Sequence, residues 1–117
     1  MEEKIFFLSD GHEIEAMIDK NNSSKAVVIT HPHPLYGGDM HNDVVVTIRQ
    51  AYQKKDYTTL RFNFRGVGSS QGSYSDGVGE QQDVRTAISY LKDMGTTHIE
   101  LAGYSFGAWV NAMTFNK

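Results

Sequence analysis

Residues 99–109 read Ile99-Glu100-Leu101-Ala102-Gly103-Tyr104-Ser105-Phe106-Gly107-Ala108-Trp109. A short strand-like run, Ile99 to Ala102, meets Gly-x-Ser-x-Gly, and a helix-forming stretch follows from Phe106 onward. A serine at such a strand-to-helix turn takes a strained backbone conformation. The positions two before and two after it must be small, because strand and helix approach closely there. Gly103 and Gly107 meet that need, and Ala108 adds room. The corner lifts the Ser105 hydroxyl above the sheet, and the Phe106 backbone N–H points where an oxyanion would form. A serine nucleophile needs a histidine base and an acid to orient it. In folds built on this corner both follow the serine in chain order. Residues 106–117 contain no His, Asp or Glu, so the expectation is that base and acid come from outside these residues.

Upstream, Val84, Ala87, Ile88, Leu91 and Met94 repeat at helical spacing, with Gly95 as a C′ cap. Before that helix, Arg65 to Gly77 holds four glycines and four serines and reads as a long functional or mobile loop. Leu60, Phe62 and Phe64 alternate with Arg61 and Asn63, which predicts a strand from Thr58 to Phe64. Val44 to Ile48 has strand propensity, yet Val45, Ile48 and Tyr52 also fit a helix. A helix over Met40 to Lys54 with Asp39 as N-cap is preferred, because it supplies the crossover that parallel pairing requires. Ala26-Val27-Val28-Ile29-Thr30 is continuous and β-branched, as in a strand buried on both faces. At the start, Ile5 to Leu8 and Glu13 to Ile18 flank Asp10-Gly11, a type I′ hairpin signal. The expected order is a hairpin followed by β-α-β-α-β-α in one domain, residues 1–117.

Two loops follow strands at the same end of such a sheet. The first is His31-Pro32-His33-Pro34-Leu35-Tyr36-Gly37-Gly38. Proline has no N–H, so the donors in reach are the amides of His33, Leu35 and Tyr36, in a loop stiffened by Pro32 and Pro34. A metal reading would need His31 and His33 to be joined by His41 or Asp39, and zinc sites need three or four ligands at suitable spacing. Hydrogen bonding to backbone is the plain alternative for His31. The second loop begins Arg65-Gly66-Val67-Gly68-Ser69-Ser70-Gln71-Gly72. The dinucleotide fingerprint requires glycine where Gln71 stands and a helix that opens at once, so a substrate-side loop is preferred over a phosphate cradle. Asp76 is read as a turn or cap residue and Asp83 as a solvated residue near a helix N-terminus.

Composition bounds the partners. Hydrophobic residues make up 39% and charged residues 21% of the 117, which suits a globular chain. The net charge of −3 gives no electrostatic reason to bind nucleic acid or an anionic membrane. Cysteine is absent, so no disulfide or thiolate site is available. The four consecutive apolar residues near the start are too short for a signal peptide, and a cytoplasmic location is expected. No cofactor or metal is expected.

Taken together, the hairpin, the His31–Gly38 loop, the stretch Leu60 to Gly68 and the Gly103–Gly107 corner resemble the small bacterial α/β-hydrolases. The closer likeness is to dienelactone-hydrolase-like esterases with a histidine–proline loop. The resemblance implies a three-layer α/β/α fold with a mostly parallel sheet and an antiparallel N-terminal hairpin, in strand order 1-2-4-3-5 and onward. It implies Ser105 as nucleophile, Phe106 as one oxyanion donor and a second donor at His33. Leu35, Tyr36, Gly37, Gly38, Arg65, Gly66 and Tyr104 would lie on substrate-side loops, and the substrate would be a small ester or acyl compound. Family members continue past the helix after the corner, so this chain is expected to be an N-terminal portion, incomplete as a catalyst. Self-association, or complementation by a C-terminal half, would then cover its last strand and helix. A non-catalytic binding module is the alternative, and a nucleotide-binding protein a weaker one.

Overall fold

A computed structural model describes residues 1–21 and 23–115. The chain folds as a five-stranded mixed sheet with helices on both faces, in the order β1 (Glu3–Ser9), β2 (His12–Asp19), β3 (Lys25–Thr30), α1 (Asp43–Gln53), β4 (Thr58–Phe62), α2 (Val78–Asp93), β5 (His98–Gly103) and α3 (Phe106–Phe115). A short 3₁₀ turn, Pro34–Tyr36, lies between β3 and α1. The spatial strand order is β1-β2-β4-β3-β5. The hairpin β1–β2 and the β2–β4 pair are antiparallel, while β3 runs parallel to both β4 and β5. This is the N-terminal half of the α/β-hydrolase fold, as the sequence predicts. No helix among the described residues is long and apolar enough to cross a membrane.

The hairpin closes through Asp10 and Gly11, both at positive φ (51° and 79°), with Ser9 paired to His12. Two positive φ values in a two-residue loop are the type I′ geometry that matches strand twist. β3 lies between β4 and β5, and five of its six residues are buried. Its alternate residues serve two cores. Ala26 and Val28 join Phe7, Ile14, Leu60, Phe62, Val84, Leu91 and Val110 beneath α2 and α3. Val27 and Ile29 face the other way and pack with Val45, Ile48, Tyr52 and Tyr57 beneath α1. Such two-sided burial is why the run carries no polar alternation.

Several boundaries differ from the expectations. The helix α1 starts at Asp43 rather than Met40, and its N-cap is Asn42, whose side chain accepts from the Val44 and Val45 amides at 2.9 and 3.4 Å. Asp39 instead accepts from the His41 amide, one turn earlier. Met40 cannot join the helix because Asn63 takes its N–H and Arg61 its carbonyl. β4 stops at Phe62 because the Phe64 amide is diverted to the His31 ring. β5 runs one residue further at each end than Ile99–Ala102.

Two polar clusters hold the layers in register. On the α1 side, Glu100 of β5 accepts hydrogen bonds from the Tyr57 and Tyr52 hydroxyls and pairs with His98. Those bonds, Tyr57's foremost, hold its carboxyl down at about 2. On the α2 side, Asp83 is fully buried rather than solvated. It accepts from Ser9 Oγ at 2.7 Å, from the Arg65 amide at 3.0 Å and from the Arg65 guanidinium at 2.8 Å. Arg65 also reaches Asp10 in the hairpin turn. One carboxylate thus ties α2 to the hairpin and to the loop after β4. Removing one partner of a buried pair strands the other charge, so Asp83→Ala should lower unfolding stability by about 3–5 kcal/mol. Urea titration checks this, and a loss below about 1 kcal/mol would contradict a paired, buried Arg65.

Candidate active site

The corner between β5 and α3 has the shape its sequence predicts. Ser105 sits at φ 57°, one of four non-glycine residues with positive φ among the described residues. It lies between the end of β5 at Gly103 and the start of α3 at Phe106, and it is exposed. Its hydroxyl makes no hydrogen bond to the described residues, so no histidine or carboxylate among them engages it. A Cβ added to Gly103 would lie 2.4 Å from Thr30 Oγ1 and 2.7 Å from the Ala108 amide nitrogen. One added to Gly107 would lie 2.6 Å from the Thr30 carbonyl. Both glycines are therefore required by contact with β3. The strain at Ser105 is forced by that contact, since a non-glycine residue in the left-handed region costs about 1–2 kcal/mol.

Beside the corner, the 31–38 loop is built around His33. The His33 ring lies tilted against three others, its centroid 4.8 Å from that of Phe106, 4.9 Å from that of Tyr36 and 5.2 Å from that of Tyr74. Its Nδ1 accepts from the Leu35 amide at 3.1 Å, which leaves the ring proton on Nε2 to donate to the Tyr74 hydroxyl, also at 3.1 Å. The Tyr36 and Gly38 amides both donate to the His33 carbonyl. Of the donors available in this loop, those of Leu35 and Tyr36 are thus spent internally. Neither the His33 N–H nor the Phe106 N–H donates to any acceptor among the described residues. Leu35, Tyr36 and Tyr104 are exposed around the corner, 67%, 87% and 45% open respectively.

Two other predicted positions behave differently. The Arg65 side chain turns away from the loop surface into the buried pair with Asp83, so only the backbone there, with Gly66, remains on the loop. Gly66 itself is exposed at φ 81°. Gly37 is exposed and Gly38 is buried against Pro32. Asp76, at φ 54°, occupies the turn just before α2. The α2 N-terminus is capped by Glu80, which is buried and accepts from the Gly77 amide, the Ser75 amide and the Ser75 hydroxyl. His31, His33, His41 and Asp39 do not converge, and no group of three His, Asp or Glu side chains among the described residues is placed to hold a metal ion.

His31, fully buried, bonds to backbone at both ring nitrogens. Nε2 accepts from the Phe64 amide at 3.0 Å and Nδ1 lies 2.7 Å from the Pro32 carbonyl. Burial pushes this imidazole from 6.5 down to about 4, against the opposing pull of the Pro32 carbonyl, Asp39 and Glu80. The sequence offers one signal for such a role, a histidine at the end of a fully buried strand. The signal for Asp83 is its place one turn before Ala87 on the apolar face of α2.

No protein-family model matches the chain. It is 40% identical over 111 residues to an uncharacterised protein of Rickettsia prowazekii, covering 92% of this chain and 47% of that one. It also superposes on an α/β serine hydrolase homologue from Coxiella burnetii with a TM-score of 0.90 and 40% identity, covering 95% of this chain and 55% of that one. A lidless α/β serine hydrolase from Xanthomonas campestris gives a TM-score of 0.91 at 31% identity, with 97% and 55% covered. The chain spans about half the length of each of these three relatives.

Two predictions rest on this geometry. Ser105→Gly should be about 1 kcal/mol more stable than Ser105→Ala, because only glycine takes positive φ without cost. Equal melting temperatures for the two variants would contradict a strained corner. For His31, the unfolded ring takes up its proton near 6.5 and the folded ring only near 4. Between those values the unfolded chain binds more protons, so stability is full above pH 6.5 and falls by about 3 kcal/mol as the pH drops to 4. The stability that Glu100 contributes is full above its ordinary 4.5 and is lost only as the pH falls from 4.5 toward about 2, so the slope between pH 6.5 and 4.5 is free of it. Urea titrations of wild type and His31→Gln across this range check the assignment, and an unchanged slope in the variant would refute it.

Proposed function

We propose that this chain, which has the N-terminal half of the α/β-hydrolase fold, is the nucleophile-bearing portion of a serine hydrolase acting on a small ester or acyl compound. The observation that carries the reading is the exposed, strained Ser105 between two glycines that no larger residue can replace. In the reaction, Ser105 Oγ attacks the substrate carbonyl carbon and its proton passes to a histidine base. The carbonyl oxygen becomes an oxyanion between the Phe106 and His33 amides, whose hydrogens have no protein acceptor among the described residues. The tetrahedral intermediate then collapses, the alcohol leaves with the proton, and water repeats the sequence on the acyl-serine. Exposed Leu35, Tyr36 and Tyr104 give the substrate an apolar rim.

The base and acid are assigned to polypeptide outside these residues. None of His12, His31, His33, His41 and His98 bonds to Ser105, and His31 and His33 are committed to other partners. Support for a complementing segment comes from β5, which pairs with β3 alone among the described residues. Beside it, Ile99 and Leu101 open into a groove of about 560 Å³ with Ile88, Ala112 and Phe115. That groove does not include Ser105 or His33, so it suits packing against further chain rather than substrate. A small chromogenic ester such as p-nitrophenyl acetate tests the reading. The 117-residue chain alone should match its Ser105→Ala variant. Supplying the remaining half of the Coxiella or Rickettsia relative should raise turnover at least roughly a thousandfold, and Ser105→Ala should abolish the gain. Turnover that survives Ser105→Ala refutes the nucleophile. No turnover with the second half in place favours a non-catalytic binding module.

A further inference from the structure

The His31 ring and the His33 amide belong to one short stretch of backbone, and their hydrogen bonds connect them. A backbone N–H can only donate, so the Phe64 amide, 3.0 Å from Nε2, requires a lone pair on that nitrogen. The ring proton then sits on Nδ1 and is donated to the Pro32 carbonyl at 2.7 Å. That carbonyl belongs to the same peptide group as the His33 N–H. No cis bond occurs among the described residues, and in a trans peptide the C=O and N–H point in opposite directions. Pulling the carbonyl toward a fully buried ring therefore turns the amide hydrogen away from the core. A donor on the carbonyl also polarises the amide and makes its N–H a better donor.

The surroundings hold the same peptide group from other sides. A Cβ on Gly38 would lie 2.1 Å from the Pro32 oxygen, so the loop folds back on that oxygen as closely as backbone permits. The Gly38 amide donates to the His33 carbonyl at 3.0 Å. The His31 ring is itself fixed edge-on against Phe64, with centroids 4.8 Å apart. It bridges the ends of two neighbouring strands, β3 and β4.

We propose that His31 is the positioning residue for the oxyanion donor, its Nδ1–H holding the Pro32–His33 peptide so that the His33 N–H stays free to receive charge developing at Ser105. This rests on the hydrolase reading for its purpose but not for its geometry. His31 does not touch the reacting atoms and acts through the peptide alone.

The ring nitrogens decide the matter directly. With histidine labelled in ¹⁵N, the full chain at neutral pH should show His31 as a single tautomer, protonated at Nδ1 and bare at Nε2. The Nε2–H form, or an average of the two, would overturn the proposal. His31→Gln keeps an acceptor for the Phe64 amide and loses the donor to Pro32, so the His33 amide resonance should shift and broaden. His31→Asn restores a donor at the Nδ1 place and should bring that resonance back toward its wild-type position. A His33 amide unmoved in His31→Gln, or moved alike in both variants, would overturn the proposal. The Ser105→Ala ester comparison speaks to the hydrolase reading alone, so either idea can fail while the other stands.

Discussion

Between Thr30 and the corner after β5 there is no room for one methyl group. Gly103 and Gly107 both press on the end of β3, and the backbone between them has three residues in which to leave a strand and enter a helix. The left-handed turn at Ser105 follows from that confinement. So does the position of α3, whose first residues rest on Thr30, and of Phe106, which joins the core beside Phe64. A single steric contact thus fixes the exposed hydroxyl, the start of the helix and one wall of the site.

β3 can bear this because it is fixed on both edges and both faces. Parallel neighbours β4 and β5 take its backbone groups, and two separate apolar clusters take its side chains. The two loops that frame the candidate site leave from its end and from the end of β5. Their geometry is therefore referred to one rigid element, and His31, the first residue beyond β3, extends that rigidity into the loop.

The chain announced much of this through local rules. Asp10-Gly11 specified its turn, the β-branched run specified a strand buried on both faces, and the glycine spacing around Ser105 specified the corner. The helix α1 was located but misplaced at its start, because Met40 is withheld from it by Asn63 and Arg61, residues more than twenty positions away. Taken singly, Arg65 reads as a loop residue and Asp83 as a solvated helix residue. Each is explained only by the other, and pairing across eighteen positions leaves no periodic trace in sequence. Glu100 was hidden for the same reason, since its two tyrosine partners come from different elements. Chain-local geometry was legible, whereas charge burial, which depends on what meets what, was not.

The position of β5 in the sheet carries a consequence for the lifetime of the corner. In a parallel ladder each residue turns its N–H and C=O to one side, so alternate residues of β5 address β3 and the rest address the outer side. The inward set inherits the slow opening of the sheet centre. The outward set exchanges its amide hydrogens on the faster clock of an uncovered margin. Ser105 follows this strand by two residues, and the glycines on either side of it rest on Thr30. A strand seated along that outer row would slow that exchange, and the corner would gain permanence without any change in its own contacts.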